Sequence, residues 1–364
     1  MIIGIDGREL EGKPTGVGSY LRNILRNMEP PAHFKLQIFF KNEIPDLDGI
    51  AAEPVLLKSS GRNFFWQNGM LSRELKKRSV NLFFTPIATA IPSFDGKQVS
   101  AIHDLSYFNY PEWFPLRERI MRRIGAKRAA RRADRIYVIS NHVRDEIIHR
   151  FGVAPDKILL TPVGIEERKL DSDQRRMLRQ SYDYDPFKLV LYVGSIFQRR
   201  HIPVVIEAMK DLDANVKLVI IGENRTFPKL NLDAIAEHRG VASRVIFLEY
   251  ASSKIVQDYY RMADAFIYLS TYEGFGIPPL EAMSYGVPAV LSRTPAMNEV
   301  YEGCAEFSEI RPDAVAKSLR LVLQDSSLRE QLIRSGLQKA KQSNWRDTAA
   351  LIVQDWEHLL AARS

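Results

Sequence analysis

Two carboxylates, Glu273 and Glu281, stand eight positions apart around Gly274-Phe275-Gly276-Ile277-Pro278-Pro279-Leu280. An ionised carboxylate only accepts hydrogen bonds, and it can take two hydroxyl protons at once. That suits a polyhydroxylated ligand. The residues between the two acids add a second capacity. Glycine lets backbone approach a ligand closely. Pro278 and Pro279 fit the first positions of a helix, where a missing N–H costs nothing. A helix N-terminus favours anions through unpaired N–H groups and its dipole. Hydroxyls and anionic groups occur together in a nucleoside-diphosphate sugar.

The elements that must hold these acids can be read around them. Ala265-Phe266-Ile267-Tyr268-Leu269 reads as a buried strand. Gly286 fits the stop of the following helix. The prediction is therefore strand, Gly-rich loop, helix, with Glu273 in the loop and Glu281 in the helix's opening turn. Strands are also predicted at Ile2–Ile5, Lys35–Phe40, Asn81–Phe84, Gln98–His103 and Arg135–Ile139. Lys13–Gly18 reads as a flexible loop, and Ser19 as the cap of a helix over Tyr20–Asn27. The pattern then restarts with strands at Lys188–Gly194, Val216–Gly222 and Arg244–Leu248 and a helix at Val204–Leu212. Alternating strands and helices imply mostly parallel sheets covered on both faces. Two doubly wound halves are expected, residues 1–170 and 171–344, divided within a polar stretch that reaches Pro186. Such halves would face each other across a cleft at the carboxyl ends of their strands, where ligands bind. The closing stretch 345–364 carries an apolar helical stripe of Ala349, Ile352, Val353, Trp356, Leu359 and Leu360.

The Glu-x7-Glu stretch with its inner Gly-Phe-Gly, led in by Ala263-Asp264-Ala265-Phe266 and out by Glu281–Pro288, resembles the motif of retaining glycosyltransferases of the GT-B fold, group 1, family 4. That resemblance implies two Rossmann-like domains: an N-terminal one for the acceptor, a C-terminal one for the nucleotide sugar, and a last helix crossing back to the first. It also implies roles. Glu281 would bind the ribose hydroxyls. Glu273 would lie near the transferring sugar and oppose the positive charge of an oxocarbenium-like transition state. Gly274, Phe275, Gly276, Ile277 and Leu280 would line the donor. Gly194 and Ser195 lead to Arg199 and Arg200, which match the family's basic pair and would grip the diphosphate in place of a metal. Arg200 stands where the family more often has lysine. Gly16 and Gly18 match a Gly-rich turn near the donor phosphates. His103, in His103-Asp104-Leu105-Ser106, resembles a subgroup containing mannosyltransferases of bacterial surface polysaccharides and would contact the sugar. GDP-mannose is the expected donor, with a glycan or lipid-linked acceptor and no cofactor.

Two routes to retention stay open on the sequence. One is double displacement through a carboxylate; the other is front-face attack, which the resemblance favours. A phosphorylase- or epimerase-like enzyme of this fold, and a non-catalytic sugar-nucleotide-binding subunit, are the other readings. A dinucleotide cofactor is disfavoured, because Leu21 occupies the third glycine position of that fingerprint. The Asp-x-Asp triplets at Asp46/Asp48, Asp171/Asp173, Asp183/Asp185 and Asp211/Asp213 sit in polar segments and read as turns rather than metal ligands.

Composition agrees with an enzyme of anionic substrates. The net charge is +7 and the single cysteine, Cys304, allows no internal disulfide. No apolar run approaches the ~20 residues that span a bilayer. A strand beginning at the first residues leaves no room for a signal peptide, so a cytosolic chain is expected. The stretch from Arg117 to Arg135 is strongly basic, with an apolar stripe of Trp113, Leu116, Ile120, Met121 and Ile124. It reads either as a surface for anionic membrane or as a helix whose apolar side packs inward. Nucleic acid is disfavoured, since no aromatic interleaving accompanies the charge.

Overall fold

A computed structural model describes residues 1–12, 15–166, 168 and 171–361. The chain divides into two compact units: Met1–Gly164 together with the stretch from Trp345 onward, and Ile165–Asn344. The division lies slightly ahead of the expected 170/171.

The first unit holds a parallel sheet of β1 (Ile2–Asp6), β2 (Lys35–Phe40), β3 (Glu53–Leu56), β4 (Leu82–Thr85), β5 (Lys97–Ile102), β6 (Arg135–Val138) and β7 (Ile158–Leu160). Their order is β3-β2-β1-β4-β5-β6-β7. Winding reverses between β1 and β4. The inner strands are short and buried on both faces, as parallel sheets require, with Gln37, Gln98 and Ser100 among the polar residues taken inside. Helix Trp345–Ala361 belongs to this unit and buries the predicted stripe. Trp356 lies 5.9 Å from the Phe84 ring, and Asp355 accepts from the Tyr137 hydroxyl (2.9 Å) and pairs with Arg135 (2.8 Å).

The second unit repeats the plan with β8 (Lys188–Val193), β9 (Val216–Ile221), β10 (Val245–Leu248), β11 (Ala265–Tyr268), β12 (Ala289–Ser292) and β13 (Glu306–Ser308). Their order is β10-β9-β8-β11-β12-β13, all parallel, with the reversal between β8 and β11.

One expected element is corrected. Gly16–Gly18 is not a loop: a helix spans Gly16–Arg26, and its cap is Thr15 rather than Ser19. The Thr15 hydroxyl accepts from Gly18 N–H at 2.9 Å, satisfying one of the unpaired donors of the first turn. Ser19 lies exposed inside the helix.

Candidate functional site

The second unit's reversal point is built from glycines outward. Gly194 follows β8 with φ +139 and Gly222 follows β9 with φ +152. A Cβ on Gly222 would stand 2.0 Å from the Gly194 carbonyl oxygen, so these strand ends can meet only backbone to backbone. Beyond Gly194 and the half-buried Ser195 the chain enters a short 3-10 turn, Gln198–Arg200, and His201 takes φ +50. The loop after β11 is tied to this turn twice. Thr271 N–H donates to the Arg199 carbonyl at 3.1 Å, and the Thr271 hydroxyl meets His201 Nε2 at 2.6 Å.

This lashing brings Arg200 onto Glu273. Nη1 and Nη2 of Arg200 both donate to the carboxylate, whose Oε1 also accepts from Ser270 Oγ at 2.7 Å. Both side chains are nine-tenths or more buried. The guanidinium lies 4.3 Å over the Tyr268 ring, which stacks on Tyr192. Burial works against charge on Arg200, but Glu273, Tyr268 and Tyr192 together outweigh it and hold the group protonated above its ordinary range. Burial pushes the Tyr192 phenol up to about 12, so it stays neutral. Arg199 is less deeply buried, and its Nε stands 4.0 Å from the same Oε1. Two guanidinium groups around one carboxylate leave a net positive charge beyond the strand ends, a setting that attracts an anion.

Gly276 (φ +87) caps the helix Ile277–Ser284, with Pro278 and Pro279 in its first turn. A Cβ on Gly276 would lie 2.7 Å from Met297 Sδ, and its carbonyl accepts from the Tyr301 hydroxyl. Glu281 comes one turn further into this helix than expected. It accepts from the Tyr260 hydroxyl at 2.9 Å. Burial raises its affinity for a proton, while the Tyr260 bond and the Arg168 charge oppose that rise. Tyr260 is itself fixed by a parallel stack on Tyr285 (5.4 Å), over which Arg168 and Arg261 also lie. Phe275 and Leu280 are buried, so a ligand would meet their backbone rather than their side chains. Ile277 is half-buried, and Gly274 is buried in the loop.

Sequence reasoning missed Ser270, Tyr260, Tyr285 and Arg168. Ser270 lies three residues before Glu273, but a serine there carries no special pattern. Tyr260 and Arg168 reach Glu281 only through the fold.

In the first unit His103 follows β5. Its Nε2 lies 2.9 Å from the Pro86 carbonyl oxygen. A carbonyl only accepts, so Nε2 carries the proton and Nδ1 is the accepting nitrogen. Burial lowers the ring's pKa and keeps it neutral. The Tyr20 ring meets it edge-on at 4.8 Å. Asp104 accepts from the backbone N–H and hydroxyl of Ser106 and caps a turn. Gly18 is needed for packing, since its Cβ would fall 2.2 Å from the Glu9 carbonyl oxygen, whereas Gly16 has open space.

Asp46 and Asp171 accept from backbone two residues on, as turn and cap residues do. Among the described residues no three His, Cys, Asp or Glu side chains group as a metal-holding set. A cavity of about 500 Å³ opens beside the same strand ends, lined by Ile196, Gly222, Asn224, Lys229, Asn231 and Glu249. It includes neither Glu273 nor Glu281, so the site is assigned on side-chain chemistry rather than on concavity.

Residues 173–339 match the family described as glycosyl transferases group 1, and residues 14–169 match glycosyltransferase family 4. O-antigen chain mannosyltransferase B of Escherichia coli is 28% identical over 270 residues, covering 72% of this chain and 71% of that protein. O-antigen chain mannosyltransferase RfbU of Salmonella typhimurium is 27% identical over 216 residues, covering 59% of this chain and 57% of that one. Among solved structures, Anabaena HepE in complex with UDP and glucose superposes with TM-score 0.79 at 17% identity, covering 98% of this chain and 99% of that one. WaaG, a glycosyltransferase involved in lipopolysaccharide biosynthesis, gives TM-score 0.75 at 19% identity over 97% and 98% of the two chains.

Proposed function

Because the chain belongs to the group 1, family 4 glycosyltransferases of the GT-B fold, we propose that it moves a hexose from a nucleoside-diphosphate sugar to a glycan or lipid-linked acceptor. It does so with retention and without a metal. Mannose from GDP-mannose is the first choice, supported by relatives named as mannosyltransferases. The reaction is assigned to the cytosol.

The observation that carries this reading is the meeting of Arg200, Arg199 and Glu273 at the β8/β11 reversal. The diphosphate takes the net positive charge there. Arg199, the less deeply buried of the two, contacts it. Arg200 holds Glu273 in place beside the sugar. Glu281 accepts from the ribose hydroxyls, and Gly194, Ser195 and the Gly274–Ile277 backbone close around the phosphates and sugar. The nucleoside base meets backbone near Tyr250-Ala251.

Front-face attack is the route the geometry favours. A carboxylate nucleophile must move freely onto the anomeric carbon, but Glu273 is tethered, with Oε1 accepting from Ser270 and Arg200 and Oε2 accepting from Arg200. Glu273 then acts by electrostatics on the developing cation. The departing phosphate, held by Arg199, receives the acceptor's proton. By resemblance to the family, His103 Nδ1 would accept from a sugar hydroxyl, and Gly16 and Gly18 would contact the donor phosphates.

A thermal-shift screen of GDP-, UDP- and ADP-sugars tests the donor class, since a ligand that binds only the folded state raises its stability by mass action. Stabilisation by GDP-mannose above the others, undiminished by EDTA, and an α-linked product by NMR are expected. Absence of stabilisation by every sugar nucleotide, or a product of inverted configuration, would sink the reading.

A further inference from the structure

Single exposed apolar side chains are ordinary on a protein surface. The helix Leu116–Arg132 buries Ala126, Ala129 and Ala130 and turns Leu116, Ile120, Met121 and Ile124 outward, so the reading in which that stripe packs inward is overturned. Two side chains of the second unit are far more exposed than these. Phe227 at 89% and Tyr250 at 85% are the most exposed large hydrophobic side chains among the described residues. They stand on the two loops, after β9 and after β10, that supply Lys229 and Glu249 to the cavity of about 500 Å³. Lys229 Nζ lies 3.8 Å from a Glu249 carboxylate oxygen and links the loops.

The loop that carries Phe227 is braced. At its base the Arg225 N–H donates to the Ile196 carbonyl at 2.8 Å, and the Ile196 N–H donates to the Glu223 carbonyl at 2.9 Å. Nearer its tip the Thr226 hydroxyl donates to Asn224 Oδ1 and accepts from the Leu230 N–H, both at 2.8 Å. Asn224 Nδ2 closes the ring on the Leu230 carbonyl at 2.9 Å. A phenylalanine gains by leaving water, and a braced loop that keeps it there points to a ligand that covers the ring.

The lining says which ligand. Ile196, Ile220, Leu230 and Phe247 give the cavity an apolar interior, and its size is that of a small-molecule site, roughly 300–1,000 Å³. Its charged residues are one cation, Lys229, against two carboxylates, Asp233 and Glu249. That balance disfavours a phosphate, which the arginine couple beside Glu273 suits instead. It suits hydroxyls. Glu249 accepts their protons and Lys229 donates. Asn231 spends its carbonyl oxygen on the Ala234 N–H, which leaves its NH2 group to donate. Hydroxyls on a ring whose face is C–H are what a pyranose offers, and that face lies well on an aromatic ring.

We propose that this cavity is a second saccharide site, which takes a neutral pyranose oligosaccharide with its C–H face on Phe227 and its hydroxyls on Glu249, Lys229 and Asn231. It is separate from the transfer centre, since Arg199, Arg200, Glu273 and Glu281 are all absent from its lining. An enzyme that extends a saccharide would use it to hold a sugar chain beyond the residue being joined. The site stands on the cavity and its side chains; only the choice of a mannose saccharide as probe rests on the donor reading above.

The test is isothermal titration of the full chain with α-linked mannotriose and with D-mannitol. Mannotriose should bind, and mannitol, which has the hydroxyls but no ring face, should not. Phe227→Ala should weaken mannotriose by about tenfold, the worth of one aromatic contact, while Phe227→Tyr keeps the affinity. Glu249→Ala should weaken it by about tenfold as well, through loss of a hydrogen bond to a charged group. Each variant should keep the parent's thermal unfolding and its stabilisation by GDP-mannose, and saturating GDP should leave mannotriose affinity unchanged. Displacement of mannotriose by GDP, or loss of sugar-nucleotide stabilisation in either variant, would place the cavity within the donor site and overturn the proposal. No binding of mannotriose, equal binding of mannitol, or unchanged affinity in both Phe227→Ala and Glu249→Ala also overturns it. Should no sugar nucleotide stabilise the parent while mannotriose binds with these losses, the donor reading fails and the saccharide site stands.

Discussion

Arg200 and Glu273, seventy-three positions apart, form a buried ion pair across the gap between β8 and β11. Removing one member of such a pair leaves an uncompensated charge, which costs about 3–5 kcal/mol. Glu273→Ala should therefore both destabilise the second unit by about that much and lower turnover by at least about a hundredfold. The two effects can be parted. Arg200→Met/Glu273→Leu removes both charges and should recover most of the stability, measured by urea unfolding, while activity stays lost. If the double variant recovers activity, the pair is a structural strut and Glu273 has no role beside the sugar.

Tyr260 holds Glu281 by a single 2.9 Å hydrogen bond to the carboxylate. Glu281→Ala should abolish stabilisation by any sugar nucleotide. Tyr260→Phe should weaken donor affinity by about tenfold, the worth of one hydrogen bond to a charged group, with little change in kcat. The pH dependence has a defined sign. Burial already raises the Glu281 pKa, and the Tyr260 bond lowers it. The ionised form accepts the ribose hydroxyls, so affinity falls as pH drops through that pKa. In Tyr260→Phe the fall should begin at higher pH, as isothermal titration across pH 5–8 would register. An unshifted profile would mean that Glu281 does not meet the ribose.

The glycines of the first helix turn separate packing from ligand approach. A Cβ on Gly18 collides with the Glu9 carbonyl oxygen at 2.2 Å, and backbone cannot easily yield. Gly18→Ala should cost about 1–3 kcal/mol, as overpacking does. Gly16 has nothing within 4 Å, and alanine there should add up to about 1 kcal/mol of helix stability. If Gly16 gives the donor phosphates room, Gly16→Ala will nevertheless weaken nucleotide-sugar binding. A more stable variant with unchanged affinity would remove Gly16 from the donor site.

These contrasts show what could be read along the chain. Lys35–Phe40 was legible as a strand to the residue, because Leu36, Ile38, Phe39 and Phe40 make an apolar stretch that only Gln37 interrupts. The edge strands β3 and β13 were not. Glu53–Leu56 contains Pro54 and buries only Val55, and Glu306–Ser308 is three residues long. Ser19 read as the cap of the first helix, and the fold puts the cap at Thr15. Local preference for loops at glycine favoured the wrong one, since the need for glycine at 18 comes from Glu9, a contact formed by folding. The motif around Glu273 identified the acids, but not that Arg200 would be consumed in holding one of them. That pairing depends on which strands adjoin. The basic helix was ambiguous because alanine and leucine both count as apolar. Which stripe turns inward is decided by the close approach of the neighbouring backbone: a Cβ on Gly125 would sit 2.3 Å from the Ala88 carbonyl oxygen.

His103 makes stability depend on pH in a way that can be isolated. Its folded pKa lies below the ordinary 6.5, through burial. Between that lowered value and 6.5 the unfolded chain binds the proton and the folded chain does not. The neutral ring's contribution is thus fully present above about pH 6.5 and is lost as pH falls toward the folded pKa. His201 is shifted in the same direction, also by burial. It titrates in parent and variant alike and cancels in the comparison. His103→Gln keeps an N–H donor for the Pro86 carbonyl but cannot titrate. Urea midpoints measured from pH 8 to pH 5 should fall more steeply for the parent than for His103→Gln, the curves diverging below about pH 6.5. Parallel curves would show that the ring titrates as it does in water, and that the Nε2–H tautomer is not held by the fold.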